Sequence, residues 1–125
     1  MVSDTLQNGP QYLIKAIIEG VRRKKGLEII NIDLRKFNYT ECDNFIICHG
    51  TSNTHVEAIA NSVEETVLEL QNEPVWHCDG YKNAQWILLD YAYVMVHIFQ
   101  EPFRRLYDLE SLWADGNFYY IESGI

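Results

Sequence analysis

The stretch that decides the fold reads Trp86-Ile-Leu-Leu-Asp-Tyr-Ala-Tyr-Val-Met-Val-His-Ile-Phe99. It holds two short apolar runs, 86–90 and 93–99, separated by Tyr91-Ala92. This spacing predicts an antiparallel hairpin, although the turn lacks the Asn-Gly chemistry that hairpins favour. The turn type therefore stays open.

The second run of the hairpin is apolar on both faces, because side chains alternate along a strand. Smaller branched side chains lie on one face, those of Val94, Val96 and Ile98. Larger side chains lie on the other, those of Tyr93, Met95, His97 and Phe99. Either helices cover both faces, which is the usual fate of apolar side chains, or one face is partly open to a partner.

Regular patterns precede the hairpin. They predict a helix over 11–25, a second helix with an apolar face from Val56 to Leu70, and strands over 28–34 and 44–48. Pro10 and Gly26 are typical of the start and end of the first helix, and Thr51 or Ser52 is the expected N-cap of the second.

The remaining segments complete a mixed α/β fold. A brief edge strand is expected at 74–78 and a helix at 102–113. We therefore predict one domain over 1–125, with a sheet of about five strands flanked by helices and a core at about 13–113. Residues 1–9 and 114–125 are expected to be flexible or accessory.

Composition limits the possible partners. The chain has 125 residues and a net charge of −8, so its field repels phosphate and favours basic protein surfaces over nucleic acid. Three cysteines without a Cys-x-x-Cys pair argue against disulfides and zinc. No apolar run is long enough to span a membrane, and no signal peptide is visible, so a cytoplasmic protein is expected.

The search for catalytic chemistry finds one weak candidate. Gly50-Thr51-Ser52, between a strand and a helix, could hold an anion at the helix N-terminus. Helix capping alone explains these residues, and no Walker lysine follows them. Asp90 stands alone, without the second carboxylate that a magnesium site needs, and the four histidines are scattered. No catalytic residue, metal or cofactor is expected.

Large amphipathic residues in the second half suggest a binding surface instead. Trp, Tyr and Arg are common at interface hot spots, because they bury much area and keep a polar handle. The set is Trp86, Tyr91, Tyr93, Tyr107 and Trp113, with Arg104 and Arg105 between them. The alternative is that Trp86 and Trp113 anchor the core.

Three segments carry a resemblance to a known family. They are Asp43-Asn-Phe-Ile-Ile-Cys-His-Gly-Thr-Ser52, the hairpin strands quoted above, and Arg105-Leu-Tyr-Asp-Leu-Glu-Ser-Leu-Trp113. Together these segments resemble the RsfS/Iojap ribosomal silencing factors. The resemblance extends from about Leu13 to Trp113.

The resemblance implies a fold related to nucleotidyltransferases without their catalytic carboxylates, and a homodimer that is not an enzyme. It implies binding to the large ribosomal subunit through that subunit's fourteenth protein. Such binding would block joining of the small subunit and repress translation under nutrient limitation. The expected partner-binding residues are Trp86, Asp90, Tyr91, His97, Tyr107, Leu109, Glu110 and Trp113.

Two departures affect the details of this expectation. Ala92-Tyr93 stands where the family usually has Gly-Asp, and Thr54 stands where a basic residue is common. Two other functions stay open: a nucleotide-binding or nucleotidyl-transferring enzyme that uses Gly50-Thr51-Ser52, and an adaptor for an unrelated basic protein.

Overall fold

The computed structural model describes residues 9–38 and 40–122. The helices are α1 (Pro10–Arg23), α2 (Asn53–Gln71), α3 (Glu101–Tyr107) and α4 (Leu109–Leu112). The strands are β1 (Leu27–Asp33), β2 (Asn44–Gly50), β3 (His77–Asp79), β4 (Trp86–Asp90), β5 (Val94–Gln100) and β6 (Asn117–Ile121). The prediction for the N-terminal segment falls mostly on residues 1–8, outside the described residues. No helix of the described part is long and apolar enough to cross a bilayer.

The mixed α/β prediction is confirmed, with one strand more than expected. The sheet has the order β3-β4-β5-β2-β1-β6. Its central neighbours β2 and β5 are parallel, and every other pair is antiparallel. The sixth strand, β6, lies in the segment 114–125 that was expected to be flexible or accessory. It pairs with β1 from Ile29↔Ile121 to Asp33↔Asn117, which gives the outer edge of β1 a hydrogen-bonded neighbour.

One sheet face, here called the helix face, is sealed by α1 and α2. Its strand residues include Ile46, Ile87 and Val96, and all three are buried in one apolar cluster with residues of both helices. The two helices approach closely at Gly20, where an added Cβ would lie 2.7 Å from Val63 Cα. Ser62 Oγ donates to the Gly20 carbonyl at 2.7 Å, so the helix pair is fixed by packing and by a hydrogen bond.

The opposite face, here called the aromatic face, is only half covered. The predicted helix over 102–113 is broken at Asp108, whose left-handed backbone (φ 49°) separates the short helices α3 and α4. Partly buried Phe103, Leu109 and Trp113 from this region pack on a cluster that includes Ile47 and Phe99. Further toward β3, the same face ends in side chains that stay partly exposed, those of Leu88, Asp90 and Met95. One sheet face is therefore open in part.

Candidate docking surface

The structure gathers most of the predicted interface residues on the aromatic face. Trp86 and His97 are on neighbouring strands, Tyr107 is at the end of α3, and Leu109, Glu110 and Trp113 are on or next to α4. Asp90 marks the outer end of β4 on this face. Tyr91 does not belong to the group: it is 3% exposed and lies in the apolar cluster of the helix face.

Trp86 is held by an aromatic stack. Its ring centroid lies 4.9 Å from that of Phe99 and 4.8 Å from that of Tyr107. Its indole Nε1 donates to His97 Nδ1 at 3.1 Å. The indole can only donate, so Nδ1 of His97 accepts and the imidazole carries its proton on Nε2. Trp86 is thereby fixed in orientation while part of its side chain remains accessible.

His97 is a neutral anchor beneath this surface. It is 5% exposed, and burial lowers its pKa to about 4. Among the described residues its Nε2 is buried without a hydrogen-bond partner. An unpaired buried donor lowers the stability of the fold. The hydrogen bond from Trp86 to the other ring nitrogen of His97 offsets part of that loss. The prediction that His97 itself touches a partner stays untested.

The short helices α3 and α4 carry exposed apolar side chains. Tyr107 is 52% exposed, and Leu106 on α3 and Leu112 on α4 are each 71% exposed. Leu106 and Leu112 were not selected from the sequence, because their exposure depends on how two very short helices lie on the sheet. Large exposed apolar side chains next to a half-buried tryptophan are typical of interaction sites.

Trp113 has a different position from Trp86. It packs edge-on against Phe37, with centroids 5.5 Å apart, and against Phe45, with centroids 5.8 Å apart. The core-anchor interpretation of Trp113 fits these contacts, since the ring ties α4 to β2 and to the segment after β1. Leu109 is half-buried against the same cluster.

Arg104 joins α3 to α4 and to β2 through its guanidinium group. It is 2% exposed, and its Nε and Nη2 both lie 3.0 Å from Glu110 Oε2. Its Nη1 donates to His49 Nδ1 at 2.9 Å. Glu110 therefore has a cationic partner inside the chain. Arg104 was an interface candidate by residue type, whereas its contacts give it a structural position.

Three side chains beside Arg104 lie as close together as the ligands of a metal ion. Glu28, His49 and Glu101 bring their ligand atoms within 4.8 Å of one another. However, the Arg104 donation leaves the His49 proton on Nε2, which faces the two carboxylates at 3.8 and 4.0 Å. Arg105 Nη2 binds the same carboxylates at 2.8 and 3.2 Å. Burial, together with the Arg104 guanidinium, lowers the pKa of His49. The contacts are those of an ion-pair network.

The Gly50-Thr51-Ser52 turn caps α2. Ser52 is the N-cap, as one of the two predicted alternatives, and its Oγ accepts from the His55 N–H at 3.1 Å. The Thr51 N–H donates to His55 Nδ1 at 2.9 Å. A Cβ on Gly50 would lie 2.9 Å from that same nitrogen, so the imidazole fills the space against the turn. These bonds use donors that an anion would need.

The hairpin turn is strained where the chain departs from its family resemblance. Ala92 has φ 71°, a left-handed conformation that favours glycine. Asp90 Oδ1 accepts from the Ala92 N–H at 2.7 Å, and the Tyr91 N–H donates to the Val94 carbonyl at 2.9 Å. Asp90 thus stabilises the turn with one oxygen and has no cationic partner among the described residues.

Two shallow clefts are lined by Trp86 together with Asp79 and Gly80. One, of about 270 Å³, is lined by Asp79, Gly80, Trp86 and Leu88. The other, also about 270 Å³, extends from Asp79 past Lys82 to Tyr107. Asp79 was not selected from the sequence, because its place beside Trp86 depends on the pairing of β3 with β4.

Comparisons with known proteins show similarity over most of the chain. The family model described as "Ribosomal silencing factor during starvation" matches residues 7–123. A "Ribosomal silencing factor RsfS" of Halalkalibacterium halodurans is 33% identical over 84% of this chain and 88% of its own length. A crystal structure of a Chromobacterium violaceum protein superposes with a TM-score of 0.81 at 29% identity, covering 94% of this chain and 97% of that one.

A more distant relative has a name that mentions the large subunit. The "Mitochondrial assembly of ribosomal large subunit protein 1" of Mus musculus is 25% identical over 85% of this chain. The match covers 47% of the mouse protein, so only part of that protein corresponds to this fold.

Proposed function

We propose a function from one premise: the chain belongs to the RsfS family of ribosomal silencing factors. The aromatic face docks on the large ribosomal subunit, at that subunit's fourteenth protein. The bound chain then occupies space that the small subunit needs, so the subunits do not join and translation is repressed under nutrient limitation. The observation that carries this proposal is the half-covered aromatic face around Trp86 and Tyr107.

Apolar area and charge both support a protein partner. Trp86 contacts Tyr107, and the short helices α3 and α4 expose Leu106 and Leu112, so this region offers the aromatic and aliphatic side chains found at the centre of interfaces. The net charge of −8 favours a basic protein over bare RNA. The name of the mouse relative supports a large-subunit partner.

The proposal describes a binding protein and not an enzyme. The carboxylates near α3 are bound by Arg104 and Arg105, and the turn before α2 uses its donors internally. These contacts occupy carboxylates and backbone donors that a catalytic site would need unoccupied, which supports a structural role for them. A cytoplasmic location and a homodimer complete the proposal, and light scattering of the purified chain checks the dimer.

A subunit-joining experiment tests the proposal. Purified large subunits are saturated with the chain, small subunits are added, and the increase in light scattering is followed. We expect joining to slow in proportion to occupancy of the large subunit. An undiminished joining rate at full occupancy would refute the steric block, and absence of binding would refute the docking.

Two tyrosines provide a matched pair of variants for this experiment. Tyr107 on the aromatic face is 52% exposed, and Tyr119 on β6 is 53% exposed. At the lowest concentration at which the unmodified chain saturates the large subunits, Tyr107→Ala should leave most of them free and so allow joining, whereas Tyr119→Ala should inhibit joining like the unmodified chain. Both side chains are exposed, so neither change should unfold the chain.

A further inference from the structure

The carboxylates around the aromatic face fall into two groups with different partners. On the covered half, Glu28, Glu101 and Glu110 each contact Arg104 or Arg105 within 3.2 Å. On the open half, the Asp90 carboxylate accepts one hydrogen bond among the described residues, from the Ala92 backbone N–H. The Asp79 carboxylate has no hydrogen-bond or ion-pair partner among the described residues. The open half therefore presents carboxylates without cations.

Asp79 lies at the rim of a cleft with an aromatic wall. It is opposite Leu88 in the β3–β4 ladder and shares the 270 Å³ cleft with Gly80, Trp86 and Leu88. A Cβ at Gly80 would lie 2.0 Å from the Trp86 carbonyl oxygen, so glycine lets the chain pass close to β4 at this point. Lys82 lines the neighbouring cleft, but no ion pair joins it to Asp79 within 4.0 Å.

We propose that this cleft receives a basic side chain of the docked partner protein, with its cation between the Asp79 carboxylate and the Trp86 ring. The apolar stem of an arginine or lysine would lie along Leu88, as such stems do on apolar surfaces. The cation would gain the carboxylate and the indole face together. The net charge of −8 adds a long-range attraction for such a partner. The partner's identity rests on the proposed function; the cleft's preference for a cation does not.

A peptide titration tests the cleft without the ribosome. The full chain, labelled with ¹⁵N, is titrated with N-acetyl-Gly-Arg-Gly-amide and, separately, with the same peptide carrying neutral citrulline in place of arginine. The arginine peptide should shift the Trp86 indole N–H and the Gly80 amide N–H saturably, and about threefold or more tightly than the citrulline peptide. Asp79→Asn should remove this preference. Equal binding of both peptides, or an unchanged preference in Asp79→Asn, would overturn the proposal.

A second arm measures docking with large subunits at two salt concentrations. Asp79→Asn should bind about threefold to tenfold more weakly than the unmodified chain and should depend less on salt. Glu57→Gln, a matched loss of an exposed carboxylate on α2, should change neither value. If Asp79→Asn docks like the unmodified chain, the cleft has no part in docking and the inference fails while the proposed function stands. If the unmodified chain does not dock but the arginine peptide binds selectively, the proposed function fails and the cation site stands.

Discussion

The two faces of the sheet begin with similar apolar strands and are covered differently. The helix face lies under α1, of 14 residues, and α2, of 19 residues, and the strand residues beneath them are buried. The aromatic face lies under α3, of 7 residues, and α4, of 4 residues. Short helices cover only part of a sheet, so this face keeps large side chains at its surface. The helix face should therefore determine stability, and the aromatic face should determine docking.

The largest expected effect is on stability of the helix face. Ile59 on α2 is fully buried, and Ile59→Ala should lower the free energy of unfolding by about 2–5 kcal/mol, because it removes buried methyl groups and leaves a cavity. Urea denaturation measures this. Leu68 on the same helix is 52% exposed, so Leu68→Ala should cost no more than about 0.5 kcal/mol. Equal losses in the two variants would contradict the described packing of α2.

On the aromatic face, His97 should make the free energy of unfolding depend on pH. The pKa of His97 is lowered by burial to about 4, below its ordinary value of 6.5. The unfolded chain thus binds a proton between pH 6.5 and 4 that the folded chain does not. The resulting contribution of His97 to the free energy of unfolding is fully present above pH 6.5. It is lost as the pH falls toward 4, and the loss reaches about 3 kcal/mol. His97→Gln should flatten the dependence of unfolding free energy on pH in this window; an unchanged slope would show that His97 is not buried and neutral.

The next effect concerns docking alone. Tyr107→Ala should weaken binding to the large subunit by about 2 kcal/mol, roughly 30-fold, if this exposed ring is an interface hot spot. Sedimentation binding measures the change, and circular dichroism should show the fold intact. Tyr119→Ala is the control, with a similar exposed fraction on another strand. A loss of binding in Tyr119→Ala with none in Tyr107→Ala would move the docking surface to the other side of the sheet.

The smallest effect is at the hairpin turn. Ala92 has φ 71°, so Ala92→Gly should raise the free energy of unfolding by about 1 kcal/mol through relief of backbone strain. Ala58 lies within α2, where the same substitution should lower it by about 1 kcal/mol. Thermal unfolding of both variants checks the opposite signs. A destabilised Ala92→Gly would mean that the turn is not strained in solution.

Most of the fold could be predicted from local patterns. Apolar periodicity predicted the hairpin, α1, α2, β1 and β2, and all of these elements are present in the structure. The strand β6 could not be recognised, because its five residues gain strand structure only by pairing with β1. The break between α3 and α4 was also missed, because an aspartate in a left-handed conformation, here Asp108, carries no distinct signal.

The candidate docking residues were selected from the sequence by residue type, and the structure shows where each of them lies in the fold. Trp86 and Tyr107 were identified as large amphipathic residues, and the structure puts them in contact. Tyr91 could have been assigned to the helix face, because it continues the alternation of Ile87 and Leu89. The clefts and the free carboxylate of Asp79 depend on strand pairing distant in the chain, so the sequence offered no signal for them.

Photocrosslinking on the large subunit tests the central claim most directly. A benzoylphenylalanine is placed at Leu106, 71% exposed on α3, or at Leu68, 52% exposed on α2. We predict that the probe at Leu106 crosslinks to the fourteenth protein of the large subunit and that the probe at Leu68 does not. Crosslinks from Leu68 with none from Leu106 would contradict docking through the aromatic face.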